Sequence, residues 1–319
     1  MFRYGILSTA AIVSRFVAGI RESKEGKVVA IASRNIETAK KAANDLNIEN
    51  YYGSYEELYQ DSSIDIIYIP TVNGLHYQNC KMALQHKKHV IVEKPFTLNT
   101  KDAKELYEIA KQNQCFIMEA QKSVFLPTTN KVKQLIEKNI IGEIKYIELR
   151  ASFPARFTYD HWMYDLAMGG GALYGSATYT IELLKYLFNR PNIQIQGFDI
   201  KCPTGADEIC SFQLKLNQNI LVNSTIAMNI SLHNEAIIYG QNGNITIPNY
   251  WKSNHCIVSL NDGTRTRYDL PYSSEFVYEI EHIHECIKTK QLTSPIMNPE
   301  MTLETIDLVT QLHNSFKCS

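Results

Sequence analysis

HVIVEKP, residues 89–95, is an apolar run that delivers a lysine and then halts at a proline. Val90-Ile91-Val92 reads as a strand. Proline has no amide to give to a sheet, so Lys94 is left at the sheet's carboxyl edge. In open α/β sheets that edge is where ligands bind. An ε-ammonium held there is able to leave its usual pKa and serve as a proton donor or acceptor.

Outward from this run, strands and helices alternate. Strand-like segments cover residues 4–8, 28–33, 64–70, 89–93 and 115–119. Amphipathic helical stretches lie between them, such as 36–46 and 100–113, with Asn73 and Asn99 or Thr100 as candidate caps. Such alternation predicts βαβ units and a mostly parallel, Rossmann-type sheet over residues 1–120. After about residue 120 the pattern changes. A helix starts at Pro127, a strand covers 143–152, and Gly169-Gly170-Gly171 precedes a helix over 172–188. Seven strand candidates follow between 193 and 270, several joined by turns such as Asn242-Gly243 and Asp262-Gly263. Tight turns between consecutive strands predict an open, mostly antiparallel sheet in a second α/β domain, residues 121–319. Helices over 275–290 and 299–316 close the chain, and the last is expected to be able to pack back on the first domain.

The first strand runs into Ser8-Thr9-Ala10-Ala11-Ile12 and then a helix. Small residues at this turn let backbone amides approach a pyrophosphate at a helix N-terminus. Ser8 and Ala10 stand where a dinucleotide fingerprint expects glycines, so the turn alone also fits an ordinary strand–helix junction. The end of the second strand says more. NAD sites place an acid there for the ribose hydroxyls, whereas this chain has Ser33 and Arg34. A hydroxyl and a guanidinium suit a 2′-phosphate, which favours NADP over NAD. The competing reading of Arg34 is a solvated loop charge.

Composition excludes several classes. The 319 residues exceed one ordinary core and suit two domains. A net charge of −1 gives no nucleic-acid footprint, and no stretch is apolar enough for a membrane helix. The seven cysteines (Cys80, Cys115, Cys202, Cys210, Cys256, Cys286 and Cys318) are scattered and contain no C-x-x-C pair. That suits reduced thiols in a cytoplasmic setting, as does an N-terminus without a signal-peptide layout.

Together, residues 28–43, 65–84, 88–99, 118–127 (MEAQKSVFLP), 169–179 (GGGALYGSATY) and 281–295 resemble the Gfo/Idh/MocA oxidoreductase family, in the family's own order. Within it the chain looks most similar to the branch of dimeric dihydrodiol dehydrogenases and NADP-dependent D-xylose dehydrogenases. The resemblance implies hydride transfer between NADP and a sugar, polyol or cyclic diol. It implies that Lys94 contacts substrate and the nicotinamide ribose, and that Tyr179 is the acid/base. Pro70, Thr71, Asn73 and His76 would line the loop under that ribose, with Glu93 anchoring the strand end and Pro95 in a cis or strained turn. His76 and His161 join Lys94 and Tyr179 as expected substrate contacts. The resemblance also implies a homodimer or homotetramer through the open sheet. Gly175 departs from the pattern, standing where the branch carries an aspartate four residues before the tyrosine.

Hydride loss from a carbinol leaves a hydroxyl proton that a positioned base must take. A phenol titrates near 10, and a neighbouring ammonium lowers that value, so Lys94 beside Tyr179 is the expected pair. The bland alternatives are a surface lysine, a core tyrosine and a partly buried histidine. Cys80, His86 and His89 do not make a metal site, and His282 with His284 reads as part of a solvated helix. The missing acid at Gly175 motivates one competing function, a catalytically silent NADP or sugar sensor.

Overall fold

The computed structural model describes residues 1–154 and 157–316; of the residues singled out above, only Cys318 lies outside them. The chain divides into two compact units. One comprises Met1–Gln121 with Ser274–Leu303, and the other comprises Lys122–Ser273 with the segment from Glu304 onward.

The first unit runs β1 (Phe2–Leu7), α1 (Val13–Glu22), β2 (Gly26–Ala32), α2 (Ile36–Asp45), β3 (Asn50–Tyr52), α3 (Tyr55–Gln60), β4 (Ile66–Ile69), α4 (His76–Gln85), β5 (His89–Glu93), α5 (Thr100–Asn113) and β6 (Ile117–Ala120). All strands pair in parallel, in the order β3-β2-β1-β4-β5-β6. That is the Rossmann order, and it reverses between β1 and β4. The four residues of β4 and Val90–Val92 of β5 are buried, as expected of strands covered on both faces. Side chains start the helices: Asn35 accepts from the Glu37 and Thr38 amides, Ser54 from Glu57, and Asn99 from Asp102. Asn73 does not cap α4. The chain enters that helix through a 3-10 turn, Asn73–Leu75, and neither start has a side-chain cap.

The second unit holds α6 (Pro127–Glu137), β7 (Ile144–Ser152), α7 (Ala172–Leu187), β8 (Ile193–Lys201), β9 (Asp207–Leu216), β10 (Ile220–Ala227), β11 (Glu235–Gly240), β12 (Gly243–Pro248), β13 (His255–Leu260) and β14 (Arg265–Asp269). Its eight-stranded sheet has the order β14-β13-β12-β11-β7-β10-β9-β8. Every pair is antiparallel except β7 with β10. One face packs on α6, α7 and Leu308, Val309 and Leu312. The other face carries Phe198, Ile200 and Leu221, which are 73%, 57% and 58% exposed.

Two helices close the chain, α8 (Val277–Lys288) and α9 (Pro299–Ser315). The solvated-helix expectation for residues 275–290 is overturned. In the first unit Ile280, Ile283 and His284 of α8 are buried, and His284 Nε2 lies 2.8 Å from the Tyr4 hydroxyl. Phe2 stacks on the same imidazole. Burial drops His284 to about 4, so the ring packs as a neutral group. The six described cysteines are buried free thiols.

Candidate functional site

The expected nucleotide residues of the first unit gather at the carboxyl ends of β1, β2, β4 and β5. Ser8, directly after β1, has φ +121°, a conformation that ordinarily asks for glycine. Its hydroxyl compensates by donating to Pro70 O (3.1 Å) and accepting from the Ala10 amide (3.3 Å). The first of these bonds ties the end of β1 to the end of β4, where the strand order reverses. Ala10 and Ala11 are exposed, α1 has no side-chain cap, and its first turn has no acid. Small, exposed side chains and the positive helix end together fit a dinucleotide pyrophosphate. Thr9 and Ile12 flank that turn, half-buried. After β2, Ser33 is half-buried and Arg34 exposed, with no acid between them and the α2 cap Asn35. The end of β2 thus offers a cation, Arg34, and no acid at residues 33–35.

Lys94 follows β5, half-buried, and its bond to Pro95 is cis. Three contacts hold this turn. Tyr68 donates to Glu93 (2.6 Å), buried Glu119 accepts from the Phe96 amide (3.0 Å), and His76 Nδ1 lies 2.8 Å from Pro95 O. His76 Nε2 lies 3.0 Å from Thr71 O, and Asn79 donates to the Thr71 hydroxyl. The expectation that His76 presents its ring to substrate meets a fully buried imidazole facing two backbone carbonyls. A neutral ring carries one N–H and donates to only one of them at a time. Burial lowers the pKa of His76, which favours that neutral form. The side chain is a strut between the Thr71 loop and the Lys94-Pro95 turn. Asn73 is buried on the same loop.

In the second unit α7 carries Tyr179, 9% exposed. Its start explains two of the three glycines. A Cβ on Gly170 would lie 2.6 Å from Met163 O, and one on Gly171, at φ +110°, would lie 2.1 Å from Asp207 Oδ1. Asp207 reaches over this bare helix end and accepts from the Leu173 amide at 2.7 Å. Burial pushes its carboxyl up to about 7, against that amide, which favours the carboxylate.

The Tyr179 hydroxyl accepts from Lys122 Nζ at 2.8 Å, and the same ammonium stands 5.0 Å from the ring centroid. Trp251 lies on the ring at 6.2 Å, tilted by 32°. Lys122 was no part of the sequence-based site, although it falls inside MEAQKSVFLP; a lysine in that stretch at the end of β6 was the available signal. Gly175, the missing acid, faces Phe153, whose Cζ would lie 2.8 Å from an added Cβ. An aromatic edge therefore occupies the space a side chain at 175 would need. His161, expected at the substrate, stacks on Phe157 at 3.9 Å and accepts from the Met163 amide at the start of a 3-10 turn.

This geometry has relatives. A family model described as the oxidoreductase family, NAD-binding Rossmann fold, matches residues 2–121, and the GFO/IDH/MocA C-terminal domain matches residues 129–246. A Xenopus laevis protein named trans-1,2-dihydrobenzene-1,2-diol dehydrogenase is 33% identical over 313 residues, covering 93% of this chain and 92% of that protein. Among solved structures, KijD10, a 3-ketoreductase from Actinomadura kijaniata in complex with NADP and TDP-benzene, superimposes with TM-score 0.90 at 22% identity over 98% of this chain and 97% of that one. The aldose-aldose oxidoreductase of Caulobacter crescentus, complexed with glycerol, reaches 0.87 at 20% identity over 99% and 97%. None of these likenesses supports the silent-sensor reading. With both of its units matched and a third of its residues shared with a full-length relative, this chain belongs to the Gfo/Idh/MocA family of oxidoreductases.

Proposed function

We propose that this protein moves a hydride between NADP and the hydroxyl or carbonyl carbon of a vicinal diol, polyol or sugar. The observation that carries the reading is the sheet edge of the first unit. There an uncapped, acid-free helix start meets the order reversal, and Arg34 stands where an NAD site would hold a carboxylate. The diol comes from the name of the Xenopus relative, and NADP agrees with the ligand of KijD10.

The Ala11 amide and the positive start of α1 hold the pyrophosphate and Arg34 the 2′-phosphate. When bound, the nicotinamide supplies the hydride acceptor or donor. The chain's own work is with protons and position. Lys94, fixed by the turn that Glu119 and His76 brace, holds the reacting oxygen by a charge-assisted hydrogen bond. Tyr179 takes the hydroxyl proton as the carbinol carbon gives up hydride, leaving a carbonyl, and returns that proton in reduction. The apolar face formed by Phe198, Ile200 and Leu221 pairs with a second copy, giving a homodimer or a larger even assembly.

NADP-linked turnover on a diol and polyol panel tests the reading. Lys94→Met and Tyr179→Phe should each lower kcat by a hundredfold or more, on the order of general acid–base contributions, while calorimetric NADP+ affinity stays within threefold. Full turnover in both variants would overturn it.

A further inference from the structure

We propose that Lys122 tunes Tyr179 as the proton carrier: an ammonium buried against the oxygen of the phenol stabilises its ionised form. The proposal rests on the acid/base reading of Tyr179 and adds to it a residue that acts through that tyrosine.

The geometry is specific. Lys122 is 5% exposed and Tyr179 9%, so neither charge nor dipole is screened by bulk water at their 2.8 Å contact. The same ammonium stands 5.0 Å from the ring centroid, on the hydroxyl side of the ring. Lys122 opens a 3-10 turn, Lys122–Val124, whose backbone is pinned. Lys122 O accepts from the Phe125 amide, and Ser123 O accepts from the Thr129 hydroxyl at 2.6 Å. The cation is thus held in place before any reaction, which is the condition for useful electrostatic stabilisation.

The physical logic follows from desolvation. A buried ammonium needs compensating charge or strong acceptors, and a phenolate compensates better than a phenol. Coupling is reciprocal, so the cation that gains from the phenolate also favours it. During oxidation the substrate O–H bond breaks and its proton passes to the Tyr179 oxygen. The electron pair of the carbinol C–H bond leaves with the hydride to the nicotinamide, and the carbon–oxygen bond becomes double. Lys122 keeps its protons throughout. The Lys122–Tyr179 pair goes from neutral to singly positive, and reduction reverses each step.

The titratable side chains around Tyr179 include Lys122 from the 3-10 turn, Tyr250 from the segment that also bears Trp251, and Glu182 one turn further along α7. Burial raises the pKa of Tyr250, so that group stays neutral across the working range. Glu182 is fully buried.

The test uses the full chain with Lys122→Met, Lys122→Gln and Lys122→Arg. Ultraviolet tyrosinate titration of each variant is read against the same variant carrying Tyr179→Phe, which isolates the Tyr179 signal. The charge-removing variants should move that titration up by about 1–3 pH units, and the acid limb of kcat for oxidation should move with it. Lys122→Arg should restore most of the wild-type limb. A purely structural role would lower kcat at all pH values without moving either curve. If Lys122→Met and Lys122→Gln both leave the Tyr179 titration in place, the proposal is wrong and Tyr179 remains the acid/base. If the titration moves but Tyr179→Phe turns over normally, the reading of Tyr179 fails and takes the proposal with it.

Discussion

Replacing Asp207 with Asn removes one ionisable group from the start of α7 and keeps its shape and its acceptor for the Leu173 amide. Asp207 is 3% exposed, and burial pushes its carboxyl from 3.8 up to about 7, with Asp199 acting in the same direction. The folded state therefore holds this proton more tightly than the unfolded chain does. Below about pH 4 both states are protonated and the group costs nothing. As pH rises toward 7 the unfolded chain ionises freely while the folded one resists, so stability falls. The full fall is about 4 kcal/mol, since each unit of pKa difference is worth about 1.4 kcal/mol. Asparagine has no such dependence. Urea unfolding of both proteins at half-unit intervals from pH 4.5 to 8 isolates the effect, because all other titrations cancel in the difference. The advantage of Asp207→Asn should grow steadily with pH and level off above about 7.5. Parallel stability curves, separated by a constant amount over the whole range, would refute the argument. They would mean that the helix end and its amides stabilise the carboxylate enough to cancel its burial.

Arg34→Ala should weaken NADP+ binding by about 1.5–3 kcal/mol, roughly ten- to a hundredfold, and leave NAD+ binding within twofold; calorimetry with both nucleotides checks this. Equal losses for the two would assign Arg34 to a part of the nucleotide they share. Phe198→Lys combined with Leu221→Lys should convert the assembly to monomers in light scattering without changing the circular dichroism. A wild-type protein that is already monomeric at working concentration would contradict the paired-sheet reading.

Much of the fold was legible because Rossmann strands are buried on both faces and so read as short unbroken apolar runs. His89–Glu93 and Thr100–Asn113 have the bounds that the pattern gives. β3 and α3 did not stand out, since three and six residues are too few to establish a period. α8 was misread for a different reason. Its glutamates and histidines look like a solvated face, yet Glu279 and His284 are buried, and side-chain type alone does not reveal a polar group buried beside Tyr4. The nucleotide edge was legible from residue types, because a small residue after β1 and a cation after β2 each answer a local chemical need. The Lys122–Tyr179 contact was not. It joins residues 57 apart, and only the packing of the 3-10 turn against α7 brings them together. The structural role of His76 was hidden likewise, because its two carbonyl partners are backbone atoms that every residue possesses.

Hydride transfer itself is the central claim, and isotope labelling tests it directly. Vicinal diols, polyols and aldoses carrying deuterium on the carbinol carbon are mixed with the protein and NADP+, and the NADPH formed is analysed by mass spectrometry. At least one member of the panel should yield NADPH that carries the deuterium, and Tyr179→Phe should abolish the signal while still binding NADP+. A folded protein that binds NADP+ tightly yet yields no labelled NADPH from any of them would contradict the account.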